Sequence, residues 1–112
     1  MATKIIALSN FKRRAKRLLK KYDSLTNDLQ MLNGLLQQNP TQGTSLGAGL
    51  YKIRLAVESK GAGKSGGFRV ITYFVDETET EQNVYLVTIY DKSEEGNIDK
   101  KELLRIFTSE ME

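Results

Sequence analysis

Three β-branched, aromatic-rich stretches of this 112-residue chain carry Lys52 and Arg54, Arg69 and Tyr73, and Tyr90 and Lys92. Within each stretch the members lie an even number of residues apart, so a strand presents them on one face. Cations interleaved with aromatic rings are suited to clamping phosphates while stacking bases. The chain has no histidine and no cysteine. That excludes zinc fingers, haem and iron–sulfur sites, thiol nucleophiles, Ser-His-Asp triads, imidazole acid–base catalysis and disulfides. Any enzyme chemistry must therefore rest on Lys, Arg, Tyr, Asp, Glu, Ser and Thr.

Alternation places these residues. Tyr51, Ile53, Leu55 and Val57 alternate with Lys52, Arg54, Ala56 and Glu58, the pattern of a half-buried antiparallel strand. A second strand over Phe68–Val75 that buries Phe68, Val70, Thr72 and Phe74 puts Arg69 and Tyr73 on the exposed face with Lys52 and Arg54. A third, Asn83–Tyr90, points Tyr85, Val87 and Ile89 at the core and turns Tyr90 and Lys92 outward. The alternative is a hydrated face whose cations pair with Glu58, Asp91 or Glu94; about one acid for every two cations makes full pairing hard.

A helical hairpin precedes the strands. Lys4–Leu8 reads as a short edge strand, with Ser9 or Asn10 supplying a cap. Phe11, Ala15, Leu18, Leu19 and Tyr22 then line the inner face of an amphipathic helix. Ser24 caps a second helix whose core stripe is Leu25, Leu29, Leu32 and Leu36, widened by Met31 and Leu35, and Asn39-Pro40 ends it. Thr41–Gly49 reads as a loop. Asp99 caps a final short helix with Leu103, Leu104 and Phe107 on its apolar side. The order β-α-α-β-β-β-α predicts an α+β fold, a helical hairpin and C-terminal helix packed on a small, mainly antiparallel sheet, with residues 1–112 forming one domain.

Net charge is only +3, but the distribution is uneven. Residues 1–22 carry +8, residues 23–48 carry −2, residues 49–74 carry +4 and residues 75–112 carry −7. Lys12, Arg13, Lys16 and Lys20 stud the outer face of the first helix, a surface suited to a polyanion. No run reaches the roughly 20 apolar residues of a membrane span, and the start is too quickly charged for a signal peptide. A soluble, cytoplasmic setting without membrane contact or cofactor is expected.

Gly63-Lys64-Ser65 contains the end of a phosphate-binding loop motif, but Glu58 stands where the first glycine is needed and a strand follows rather than a helix. Lys64 is either a solvated charge in a hairpin loop or a contact to an RNA phosphate.

The blocks Gly49-Leu50-Tyr51-Lys52-Ile53-Arg54, Gly63-Lys64-Ser65-Gly66-Gly67-Phe68-Arg69-Val70-Ile71-Thr72-Tyr73-Phe74 and Tyr85-Leu86-Val87-Thr88-Ile89-Tyr90-Asp91-Lys92-Ser93-Glu94 resemble the RelE/ParE superfamily toxins of type II toxin–antitoxin systems, closest to the HigB-like branch. Thr72 replaces a usual aromatic, and Ser93 stands where Asn is common. The motif-bearing resemblance covers roughly residues 45–108. It implies a microbial RNase fold, ribosome-dependent cleavage of mRNA, and neutralisation by a cognate antitoxin. The implied catalytic residues are Arg54, Arg69, Tyr90 and Lys92. Lys52, Lys64 and Tyr73 are implied RNA contacts, joined by Lys12, Arg13, Lys16 and Lys20 on ribosomal RNA.

The reaction would be attack of a ribose 2′-OH on the adjacent phosphate, giving a cyclic phosphate and a 5′-OH without a metal. Unperturbed values of about 10 for Tyr and Lys and about 4 for Glu match neutral pH poorly, so charge stabilisation by arginine must supply much of the rate. Two other readings remain open on sequence: a ParE-like inhibitor of DNA gyrase on the same scaffold, and a basic RNA-binding module without catalysis.

Overall fold

The computed structural model describes residues 2–61, 67–76, 80–93, 96 and 98–111. Strand β1 (Ala2–Ala7) leads into helices α1 (Ser9–Lys21) and α2 (Leu25–Gln38). Strands β2 (Thr44–Gly47), β3 (Leu50–Leu55), β4 (Phe68–Asp76) and β5 (Glu81–Asp91) follow, with a 3-10 turn at Glu58–Lys60, and helix α3 (Lys100–Met111) ends the chain. The sheet order is β1-β5-β4-β3-β2; β1 runs parallel to β5 and every other pair is antiparallel. This is the expected α+β architecture, with one strand more than alternation alone reveals.

That extra strand is β2. Its residues, Thr-Ser-Leu-Gly, carry no strand-like apolar alternation, and it forms because β3 offers an edge to pair with. Gly43, at φ +98°, lets it approach: a Cβ there would lie 2.5 Å from the Lys52 carbonyl oxygen.

The two faces of the sheet are covered by different helices. Phe11, Ala15 and Leu18 of α1 and Leu25, Leu32 and Leu36 of α2 pack on Ile53, Leu55, Phe68, Val70, Val84 and Ile89. Leu103 and Ile106 of α3 pack on the opposite face, against Leu50, Ile71, Val87 and Tyr90. Between β4 and β5 the register slips, with Ile71 opposite Thr88 but Thr72 opposite Leu86, leaving Val87 as the extra residue of a bulge. The bulge corrects the expected parity. Ile89 faces α1 and α2, whereas Tyr85 and Val87 face α3.

The helices also depart from expectation at their edges. Leu19, Met31 and Leu35 are exposed rather than part of the core stripe. Neither Ser9 nor Asn10 caps α1 with its side chain, because the helix already begins at Ser9. Instead Glu110 of α3 accepts a hydrogen bond from the Asn10 backbone N–H at 2.9 Å, a carboxylate at the positive end of a helix. The Ser24 hydroxyl bonds to Asp28, at 2.7 Å, and accepts from the Ser59 N–H, tying α2 to the 3-10 turn. Asp99 caps α3 as anticipated, accepting from the Glu102 N–H at 2.8 Å.

Candidate functional site

Strand register brings Arg54, Arg69 and Tyr90 into one row: Arg54 is the Cα partner of Arg69 across β3 and β4, and Arg69 of Tyr90 across β4 and β5. Lys52 starts the neighbouring row, opposite Ile71, and Lys92 follows the end of β5. Arg54, Arg69 and Tyr90, three of the four residues implied to be catalytic, therefore share one end of the sheet on the face turned away from α1 and α2, and Lys92 follows just beyond the end of β5.

That face is not the open cationic platform expected from alternation. Arg69 and Tyr90 are each only 1 % exposed. Tyr73 stacks on Phe107 of α3 with ring centroids 4.1 Å apart, and Tyr85 meets the same ring edge-on. The reason is composition: Leu50, Ile71 and Val87 share the face with the polar residues, and their apolar area must be covered. Tyr73 is consequently half-buried against this cluster, with one ring face taken by Phe107. Arg54 and Lys92 remain exposed and Lys52 is half-buried. Among the described residues Arg54 makes no hydrogen bond or ion pair, while the Arg69 guanidinium donates to the Phe68 carbonyl at 3.2 Å.

Lys12, Arg13, Lys16 and Lys20 lie along α1 on the side away from the core, because Phe11, Ala15 and Leu18 occupy its inner face. Since α1 covers the face opposite the Arg54–Arg69–Tyr90 row, the chain has two cationic surfaces separated by the sheet. Lys64 and Glu94 lie outside the described residues.

Beside the row, the structure assembles a polar cluster that alternation does not reveal. Asp91, with its side chain 1 % exposed, is ion-paired with Lys60. Its carboxylate also accepts from the Tyr22 hydroxyl at 3.3 Å, the Ser93 N–H at 2.9 Å and the Ser93 hydroxyl at 2.8 Å. Burial pushes the Asp91 carboxyl up, but the hydrogen bonds from Lys60 and Ser93 and the Lys60 charge outweigh it and hold it below the ordinary carboxylate value. Lys60 sits over the Phe68 ring, 5.6 Å from its centroid, and Tyr22 meets that ring edge-on at 5.2 Å. The only signal in the sequence is Asp91 lying between Tyr90 and Lys92. Its partners are 31 and 69 residues away along the chain.

Of the possible pairings for the sheet cations, Asp91 is thus committed to Lys60. Chemically, the row can receive an anion through Arg54 and Lys92, with the Arg69 charge held just beneath. No helix among the described residues is long and apolar enough to cross a membrane.

A family model described as the RelE toxin of the RelE / RelB toxin–antitoxin system matches residues 3–109, nearly the whole length. The match spans the hairpin, the sheet and the terminal helix as well as the three motif blocks, and on that ground the chain belongs to the RelE toxin family.

Proposed function

We propose that this toxin is a ribosome-dependent mRNA endonuclease that blocks translation and is neutralised by a cognate antitoxin. The observation that carries the reading is the Arg54–Arg69–Tyr90 row, flanked by Lys52 and Lys92. Arg54 and Lys92 meet the scissile phosphate from solvent. Arg69, its partner across the strands, adds positive charge from the buried side, where water screens it less. The ribose 2′-OH attacks the phosphorus, the bond to the 5′-oxygen breaks, and a cyclic phosphate and a 5′-hydroxyl end result. Lys92, Tyr90 or Glu94 receives the 2′ proton, and a proton passes to the departing 5′-oxygen.

With charge stabilisation supplied by arginine and no imidazole in the chain, alignment of the 2′-OH by the ribosome provides much of the remaining acceleration. The α1 surface, with Lys12, Arg13, Lys16 and Lys20, docks on ribosomal RNA, while Lys52 and Lys64 contact the message. The arrangement on the far side of the sheet suits this division: one cationic face holds the ribosome and the other addresses mRNA.

The deciding experiment adds the protein to a translation extract and maps mRNA ends, with Arg69→Ala and Lys92→Ala as controls. Cleavage with 5′-hydroxyl ends, lost in both variants, is the expected result. Intact message with inhibited DNA supercoiling overturns it in favour of a gyrase inhibitor. Neither effect leaves a binding module.

A further inference from the structure

We propose that Asp91 is a positioning residue, whose carboxylate behind the sheet sets the direction in which Lys92 leaves the end of β5. The inference rests on the ribonuclease reading above.

Asp91 is the last residue of β5 and lies opposite Phe68, on the face that α1 and α2 cover. Tyr90, the residue before it, faces the other side with the α3 cluster, and Lys92 follows just beyond the end of the strand. The carboxylate accepts from the backbone N–H of Ser93 two residues on, closing an Asx turn around Lys92. Such a turn stops the strand and fixes the backbone of its central residue. The Lys92 N–H itself donates to the Gly67 carbonyl at 3.4 Å, a long bond that by itself restrains the turn weakly. The charge of Asp91 serves a second purpose. A buried carboxylate needs compensation, and Lys60, Tyr22 and the Ser93 hydroxyl provide it from the 3-10 turn, the end of α1 and the turn itself.

These two jobs separate by substitution. Asp91→Asn keeps an acceptor for the Ser93 N–H and loses the charge. Asp91→Ala loses both. Lys60→Met removes the ion-pair partner, together with its 2.9 Å hydrogen bond to the Ser93 hydroxyl, and leaves the acceptor for the Ser93 N–H in place. If Asp91 positions Lys92, activity follows the turn; if it only braces the fold, activity follows the ion pair.

The test measures mRNA cleavage in the translation extract together with hydrogen exchange of the Ser93 amide in the isolated variants. Asp91→Ala is expected to lower the maximal cleavage rate about 100-fold, the scale of a small misplacement, without changing the ribosome concentration giving half-maximal rate. Asp91→Asn rescues cleavage to within about threefold of wild type, and Lys60→Met does likewise despite its lower stability. Protection of the Ser93 amide falls in Asp91→Ala and persists in Asp91→Asn, while the Ile89 amide inside the sheet is unaffected in both.

Equal losses of cleavage in Asp91→Asn and Asp91→Ala, or losses that track stability across all three variants, overturn the proposal. Should the wild type itself cleave no message, the ribonuclease reading fails. The Ser93 amide then decides alone: selective loss of protection in Asp91→Ala upholds the placement of Lys92, and unchanged protection refutes it.

Discussion

Arg54 and Arg69 stand directly opposite each other on adjacent antiparallel strands, one exposed and one almost wholly buried. Like charges in such a pair repel, and a sheet selected only for stability would place an opposite charge or a β-branched residue there. Under the ribonuclease reading, the register sets two cations side by side where one phosphate can share their charge.

Replacing Arg54 therefore separates stability from function. Arg54→Thr is expected to stabilise the fold by about 0.5 kcal/mol through relief of the cross-strand repulsion. It should lower mRNA cleavage about 100-fold through loss of charge stabilisation. Urea denaturation and end mapping on the same preparation check both halves. A variant that is less stable, or equally active, contradicts the role given to the pair.

The α1 surface makes a different prediction, because it lies across the sheet from the row. Lys12→Ala, Lys16→Ala and Lys20→Ala together should weaken ribosome binding and flatten its dependence on salt. The slope of log affinity against log salt falls by roughly 0.7–0.9 for each phosphate that the variant no longer neutralises. Filter binding between low and physiological salt reads the slope. Once saturating protein restores binding, the cleavage pattern should match that of the wild type.

The Asp91 carboxyl predicts a stability change in acid. Its folded value lies below the ordinary 3.8, so the unfolded chain takes up this proton first as pH falls. The contribution is complete above the ordinary value and is lost as pH drops through the depressed one. Urea midpoints recorded from pH 7 to pH 2 should show the wild type losing more stability below about pH 4 than Asp91→Asn, with parallel behaviour above it. The opposite order would mean that burial outweighs Lys60 and Ser93.

Phe107 tests the cover over the sheet. It stacks on Tyr73 and meets Tyr85 edge-on, so Phe107→Ala should cost about 2–3 kcal/mol, a little below the range for fully buried aromatics. It should also expose Tyr73 to tetranitromethane, with nitration located by mass spectrometry. If Tyr73 reacts equally well in the wild type, α3 does not cover the face.

Much of this molecule is written in local patterns. The apolar spacing of Phe11, Ala15 and Leu18, and of Leu25, Leu32 and Leu36, determined two helices and their inner faces, because a period near 3.6 can bury only one stripe. Alternation through Leu50–Leu55 and Phe68–Asp76 determined two strands and put Arg54 and Arg69 on a common face. Asp99 determined where α3 begins.

Tertiary structure decided what those faces meet. Strand β2 exists because β3 had an edge to fill, and a bulge at Val87 reversed the faces of Tyr85 and Val87, an event that alternation cannot register. Met31 and Leu35 fit the helical stripe yet remain exposed, since nothing among the described residues is packed over that edge of α2. The face carrying Arg69, Tyr73 and Tyr90 was legible as one surface, but its burial under α3 was not. Covering it depends on the apolar area of Leu50, Ile71 and Val87, gathered from three strands, and on a helix that returns to them from the far end of the chain. The pairing of Lys60 with Asp91 has the same origin: a buried carboxylate takes the cation that the fold brings to it, and sequence distance carries no record of that choice.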